Sequence, residues 1–299
     1  MTAHQLLSLN QATIKYATLD EAIAATTAGG IESIGLWREP VAAVGLQESA
    51  KRLADSGLRF SSLCRGGFFT PEEGPTRRAA IDDNRLAIEE TATLAAAGAD
   101  GSAAVLVLVV GGLPAGSRDL IGARERVRDA IGELAPDAAA AGVTLAIEPL
   151  HPMYASDRAV VSTLGQALDI AEQFPIGSVG AVVDTFHVWW DPDLYTQIER
   201  AGAAGTGGPL GRGGGRIASY QVCDWATPLA ADVLLSRHYP GDGVIDFDPI
   251  TRAVFAAGYV GDIEVELFNQ TIWDSPYGEV VDRTVAGFAA AVAPHIPAA

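Results

Sequence analysis

A single (β/α)8 barrel spanning residues 1–299 is the fold class this sequence predicts, and three observations carry the prediction. Short apolar runs alternate about eight times with helix-length segments, the order that produces a parallel sheet covered by helices. Ala103–Val110 is nearly pure valine and leucine, as a strand buried on both faces must be. Polar residues gather at the ends of many different runs, and no glycine fingerprint follows the first. A doubly wound open sheet would place them at one switch point.

The elements follow in order. Leu6–Leu9 reads as the first strand and Leu19–Ala28 as a helix closed by Gly29 and Gly30. Ile31–Trp37 is the second strand, Val41–Asp55 the second helix, and Leu58–Cys64 the third strand. Arg65-Gly66-Gly67-Phe68-Phe69 reads as a glycine-hinged loop carrying a cation and two aromatics. Pro75–Ala97 is a long helix, Ala103–Val110 the fourth strand, Arg118–Ala141 a helix and Val143–Ile147 the fifth strand. Asp157–Phe174 reads as helix, Val179–Val183 as the sixth strand, Pro192–Arg200 as a short helix, and glycine-rich Ala201–Gly215 as a flexible loop. Ile217–Val222, Asp248–Ala257, Ile263–Leu267 and Gly278–Ala291 complete the alternation.

Composition sets the function classes. Twenty basic against 37 acidic side chains give a net charge of −17, which argues against nucleic acid and against an anionic membrane surface. No apolar run approaches the ~20 residues of a membrane span, and the N-terminus has no signal pattern. Cys64 and Cys223 form no disulfide framework, and neither has an activating neighbour, so both read as packed thiols of a cytoplasmic protein.

In a barrel of this kind the site forms at the C-terminal strand ends. Strand five runs Val143-Thr144-Leu145-Ala146-Ile147 and stops on Glu148-Pro149-Leu150-His151-Pro152, where the two prolines stiffen the exit. Asp184 ends strand six. Glu264 and Glu266 share one face of strand eight, and spacing alone does not choose between them. A strand-end acid commonly caps the next helix, so each carboxylate taken singly is unremarkable. Glu148, Asp184 and Glu266 converging on one mouth would repel one another, and a divalent cation resolves that repulsion. His187 follows Asp184 by three residues, and Trp189 and Trp190 supply indole faces on which a sugar ring stacks; aromatic packing alone would also account for His187. Arg65 reads either as a substrate clamp or as a surface cation. Asp242 and Asp246 read as turn and cap residues.

At these positions the chain resembles the xylose-isomerase-like sugar isomerase and epimerase barrels. The resemblance rests on Ile147-Glu148-Pro149, Asp184-Thr185-Phe186-His187, Pro240-Gly241-Asp242-Gly243-Val244-Ile245-Asp246-Phe247, and Gly258-Tyr259-Val260-Gly261 leading to Glu266. It implies a metal held by Glu148, Asp184, the strand-seven residue and Glu266 rather than Glu264. It implies that His187 and Arg237 hold substrate hydroxyls and that Glu148 and Glu266 move a proton on either side of a bound sugar. Two departures stand out. Gln221 occupies the strand-seven position where the family usually has histidine, and an amide oxygen suits Mn²⁺, with Mg²⁺ or Co²⁺ as substitutes, better than Zn²⁺. His151 stands where the family often has asparagine. It reads equally as a proton carrier titrating near neutrality and as a hydrogen-bonding replacement.

The expected activity is therefore proton abstraction next to the carbonyl of an unphosphorylated keto-sugar through an enediolate, giving isomerisation or epimerisation. A second expectation is the larger subunit of a lyase that cleaves the carbon–carbon bond of 3-keto C-glycosides. That reading brings a small β-rich partner subunit; self-assembly into an oligomer is expected on either. A non-catalytic sugar-binding barrel is the third. An endonuclease of the related abasic-DNA type is disfavoured by five histidines and an acidic chain.

Overall fold

The computed structural model describes residues 3–203 and 215–297. Eight parallel strands close into a barrel: β1 (Leu7–Asn10), β2 (Ser33–Trp37), β3 (Arg59–Gly67), β4 (Val105–Val109), β5 (Thr144–Ile147), β6 (Val179–Asp184), β7 (Ile217–Val222) and β10 (Ile263–Val265). β10 closes the ring by pairing with β7 on one side and β1 on the other. Two short antiparallel strands, β8 (Asp224–Trp225) and β9 (Arg237–His238), rise above the ring as a ribbon that the sequence did not announce.

The helices are α1 (Leu19–Ala28), α2 (Arg38–Val44), α3 (Leu46–Ser56), α4 (Pro75–Ala97), α5 (Leu120–Ala140), α6 (Leu164–Ala171), α7 (Thr185–Val188), α8 (Leu194–Ala203), α9 (Phe247–Ala256), α10 (Gln270–Trp273) and α11 (Tyr277–Ala291). The α1 start is a complete capping box between Thr18 and Glu21. No helix among the described residues is long and apolar enough to cross a membrane.

Two cores result. The larger lies between strands and helices and includes Leu9, Ile34, Leu63, Leu106, Ile147 and Val183. A smaller one, Cys64, Val105, Val107, Ala146, Val182 and Ala218, fills the barrel itself. Each fully buried aliphatic side chain contributes about 1.5–3 kcal/mol, so the ring is a stiff platform for whatever stands on its strand ends. Cys64 and Cys223 are buried free thiols whose pKa burial raises, in keeping with a packing role.

Four local expectations are corrected. The second helix is two, because Gly45 at φ 94 turns the chain between α2 and α3. Arg65, Gly66 and Gly67 continue β3 rather than opening a loop; the paired register with β4 shifts between Cys64 and Gly66. The stretch predicted as helix from Asp157 becomes helical only at Leu164. Ahead of it, Ala159 bridges Gly111, so the chain spends those residues tying the ends of β4 and β5 together. Of the predicted loop Ala201–Gly215, Ala201–Ala203 belong to α8, and residues 204–214 lie outside the described residues.

Candidate active site

The strand ends deliver their carboxylates to one place. The Glu148 N–H donates to Leu108 O at 3.1 Å, extending the β4–β5 ladder one residue past β5 and fixing where Glu148 points. Asp184 caps α7: one carboxylate oxygen accepts from Phe186 N at 2.9 Å, which turns the other toward the barrel axis. His187 rides on that same short helix. One ligand atom each from Glu148, Asp184 and His187 lies within 4.8 Å of the others, and all three residues are buried.

Arg237 reaches Asp184, His187 and Glu266 from above. The β8–β9 ribbon carries its guanidinium, 2 % exposed, into the mouth, where Nη1 sits 2.8 Å from Asp184 Oδ2 and 3.1 Å from Glu266 Oε2. Nη2 approaches His187 Nε2 at 2.9 Å. The ring of Phe186 lies 4.7 Å from the guanidinium carbon and that of Phe268 5.2 Å. His187 Nδ1 meanwhile accepts from the backbone N–H of His151 at 3.2 Å. Both ring nitrogens therefore face donors, and a neutral imidazole can accept at only one.

One buried cation stands among three buried acids, too little charge to balance all three when they ionise together. Burial, then Glu266 and Asp184, hold the Glu148 carboxyl well above the usual range. Burial, opposed by Arg237, pushes Glu266 up to about 8. Burial raises Asp184 too, against the pull of Arg237 and of the Phe186 N–H. Burial and Arg237 drive His187 well down, so it is neutral.

Beneath the mouth lies a second carboxylate with a different environment. Glu264 Oε1 accepts from Asn10 Nδ2 at 2.6 Å and Gln221 Nε2 at 2.9 Å. Its Oε2 accepts from Ser61 Oγ at 2.5 Å and Ser62 Oγ at 2.9 Å. No side chain fits at Gly35, because the Glu264 carboxylate occupies the place a Cβ would take. Gln221, aligned with Asp184 on one side and Glu264 on the other, gives its amide nitrogen to Glu264 and keeps a buried oxygen with no hydrogen-bond partner.

A cavity of about 810 Å³ opens above these groups, lined by Glu148, His187, Arg237 and Glu266 together with Arg65, Trp37 and Phe268. Thus Glu148, Asp184, His187, Arg237 and Glu266 meet, and Arg65 stands on the cavity wall. His151 does not line the cavity: its ring packs 5.3 Å from both Trp190 and Trp225, Nδ1 accepts from Met153 N, and burial lowers its pKa. Trp189 also stands back from the cavity, packed 5.6 Å from Trp225. Residues missed in the sequence are Glu264 as a fully bonded anchor, Asn10, and the aromatic wall of Trp37 and Phe268. The period-two spacing of Glu264 and Glu266 was the one signal available for the first of these.

Comparison with known proteins agrees with this fold. The chain is 31% identical over 175 residues to the 3-dehydroshikimate dehydratase of Pseudomonas aeruginosa, a match covering 57% of this chain and 24% of that protein. The chain therefore spans about a quarter of that relative's length. Among solved structures, protein SMc04130 of Sinorhizobium meliloti is 46% identical with a TM-score of 0.87, covering 96% of this chain and 98% of that one. An IolI protein with a bound zinc atom is 21% identical with a TM-score of 0.78, over 98% and 99% of the two chains. An L-ribulose 3-epimerase is 20% identical with a TM-score of 0.71, over 97% and 95%. The family described as xylose isomerase-like TIM barrel matches residues 21–287, and with its closed parallel barrel and acid-ringed mouth this chain belongs to that family.

Proposed function

We propose that the chain is a divalent-metal-dependent enzyme that takes a proton from the carbon beside the carbonyl of a small polyhydroxylated ketone, with epimerisation or isomerisation as the outcome. The observation that carries the reading is the uncompensated charge at the mouth, three buried carboxylates around one guanidinium. The donors fit a hard cation. Glu148, Asp184 and Glu266 offer oxygens, and Gln221 offers an amide oxygen left without a partner in the protein. These four would hold the ion, and an all-oxygen set points to Mn²⁺, Mg²⁺ or Co²⁺. Bound there, the ion supplies a Lewis acid for negative charge developing on the carbonyl oxygen.

The remaining work belongs to side chains. Glu148 and Glu266 take and return the proton; burial makes both stronger bases than an ordinary carboxylate, which brings them closer to the affinity a carbon acid requires. His187 and Arg237 face the cavity and hold substrate oxygens, with neutral His187 able to donate or accept. His151 contributes through its backbone N–H, which orients the His187 ring.

The identity with a protein named 3-dehydroshikimate dehydratase favours a second outcome of the same opening step. After proton loss, a hydroxyl on the adjacent carbon leaves as water. One experiment separates these outcomes: metal analysis, followed by solvent-deuterium exchange across ketoses, 3-keto glycosides and 3-dehydroshikimate. Deuterium in an otherwise rearranged sugar supports the first outcome, and loss of water from 3-dehydroshikimate the second. Cleavage of a 3-keto C-glycoside would shift the assignment to a carbon–carbon lyase. No exchange with any of them removes the proposal.

A further inference from the structure

Acids find most of the arginines in this chain. Arg38, Arg52, Arg59, Arg77, Arg85 and Arg200 each bridge at least two carboxylates. Arg65 stands apart. It lines the cavity, and among the described residues no carboxylate pairs with it, although acidic residues outnumber basic ones 37 to 20. Its contacts are aromatic: the guanidinium carbon is 4.7 Å from the Phe68 ring centroid and 5.9 Å from that of Trp37. No hydrogen bond or ion pair engages the Arg65 N–H groups among the described residues, so the in-plane edge of the guanidinium is free. That edge is the part that grips a carboxylate in a two-point fork.

The mounting is firm. Gly67 N donates to Asn84 Oδ1 at 2.7 Å, and Asn84 Nδ2 donates to Gly67 O at 2.9 Å, so the end of β3 that bears Arg65 is pinned to α4. The position is also relevant to the chemistry, since the charge of Arg65 reaches the Glu266 carboxyl. Across the same cavity Lys15 is likewise without a carboxylate partner among the described residues, its Nζ 4.2 Å over the Trp273 ring. Trp37, Phe268 and Trp273 run between the two cations in edge contacts of 5.8 and 5.7 Å. This stretch of the cavity wall is therefore aromatic with a cation at each end.

We propose that the substrate bears a carboxylate, anchored in the plane of the Arg65 guanidinium, while its carbonyl end faces Glu148, Glu266 and His187. Lys15 adds positive potential without direct contact. A carboxylate is the demand that a single fork meets; a phosphate, with more oxygens and more charge, calls for further donors. The proposal rests on the site being a proton-abstraction centre for the direction of the substrate, but the anchor binds an acid whether or not chemistry follows.

The test uses the metal-loaded full-length protein and paired probes: shikimate against methyl shikimate, and D-gluconate against D-glucitol, by titration calorimetry. A preference for the acid of each pair is expected. In Arg65→Gln the ratio of acid to neutral binding should fall roughly 10- to 100-fold. Arg65→Lys, which keeps the charge and loses the fork, should recover part of the ratio, and its melting curve shows that the fold is intact. Equal binding of acid and neutral partner, or an unchanged ratio in Arg65→Gln, overturns the anchor. Deuterium exchange on neutral ketoses with no acid preference would overturn this inference and leave the proposed reaction standing. Acid-selective binding without exchange on any ketone would do the reverse.

Discussion

Glu264 and Glu266 leave the same strand two residues apart and on the same face, yet they live in opposite surroundings. Glu264 lies within the barrel, and four donors from three other strands complete its carboxylate. Glu266 stands at the mouth with Arg237 as its ion-pair partner, beside two further buried acids, and its pKa is pushed up to about 8, chiefly by burial. A carboxylate with every lone pair met is at rest and contributes to stability. One held in an acidic cluster with too few donors is poised to take up a cation or a proton. The comparison separates the part of the interior that holds the barrel together from the part that acts on a substrate.

The sharpest way to break that contrast is at the mouth. Glu148→Gln removes the proposed base and turns a carboxylate of the proposed metal site into a neutral amide, and deuterium exchange into substrate should fall by about 10²–10⁴-fold while the unfolding midpoint of the metal-free protein does not drop. A variant with full exchange would show that Glu148 belongs with Glu264. Next in size is the reverse change. Glu264→Gln places an amide donor among four donors and should cost about 1–3 kcal/mol in urea unfolding. Because Glu264 holds the Gln221 amide with its oxygen turned away, divalent-ion affinity should also weaken by about 10- to 100-fold. Lost stability with unchanged metal affinity would limit Glu264 to the barrel.

The pH dependence of the metal-free protein gives a smaller and more continuous measure. Glu148 and Glu266 have folded pKa values raised by burial, so the folded chain keeps protons that the unfolded chain sheds in the ordinary carboxylate range. That stabilisation is complete below the ordinary range and is lost as pH rises toward about 8. The melting temperature without metal should therefore decline from mildly acidic to mildly alkaline pH, and saturating Mn²⁺ should flatten the decline. Smallest of all is Trp189→Phe. Because Trp189 stands behind the cavity rather than in its wall, stability should change by about 1 kcal/mol or less, with KM unmoved. A large rise in KM would return Trp189 to the substrate.

Strand periodicity and strand-end acids made the barrel and three of the mouth residues readable from the chain, because both are local properties. Glu148 and Asp184 each end an apolar run, Glu266 alternates with Glu264 along the last strand, and a closed barrel leaves the strand ends only one side to face. What was not readable depends on distant partners. Arg237 was named by the resemblance alone: it reaches the mouth through an antiparallel ribbon whose two halves are joined by a loop and a 3-10 turn, and no period marks it. His151 follows Glu148 closely in sequence, but the 3-10 turn beginning at Pro152 and the indoles of Trp190 and Trp225 hold its ring away from the cavity. The choice between Glu264 and Glu266 needed Asn10, Ser61, Ser62 and Gln221, drawn from three other strands. The late start of the helix predicted from Asp157 has the same origin: Gly111, far back in the chain, claims Ala159.

The missing side chain at Gly35 ties two distant positions into one hereditary unit. Gly35 is empty so that Glu264 can fill the space, and the two lie 229 residues apart in the chain. An ancestor that gained a methyl group at position 35 would have displaced the acid, and one that shortened the acid would have opened a void that alanine fills. Descendants of this barrel should therefore pair glycine at position 35 with a long acid at 264, and a larger residue with a shorter partner. The two positions are expected to change together across the lineage.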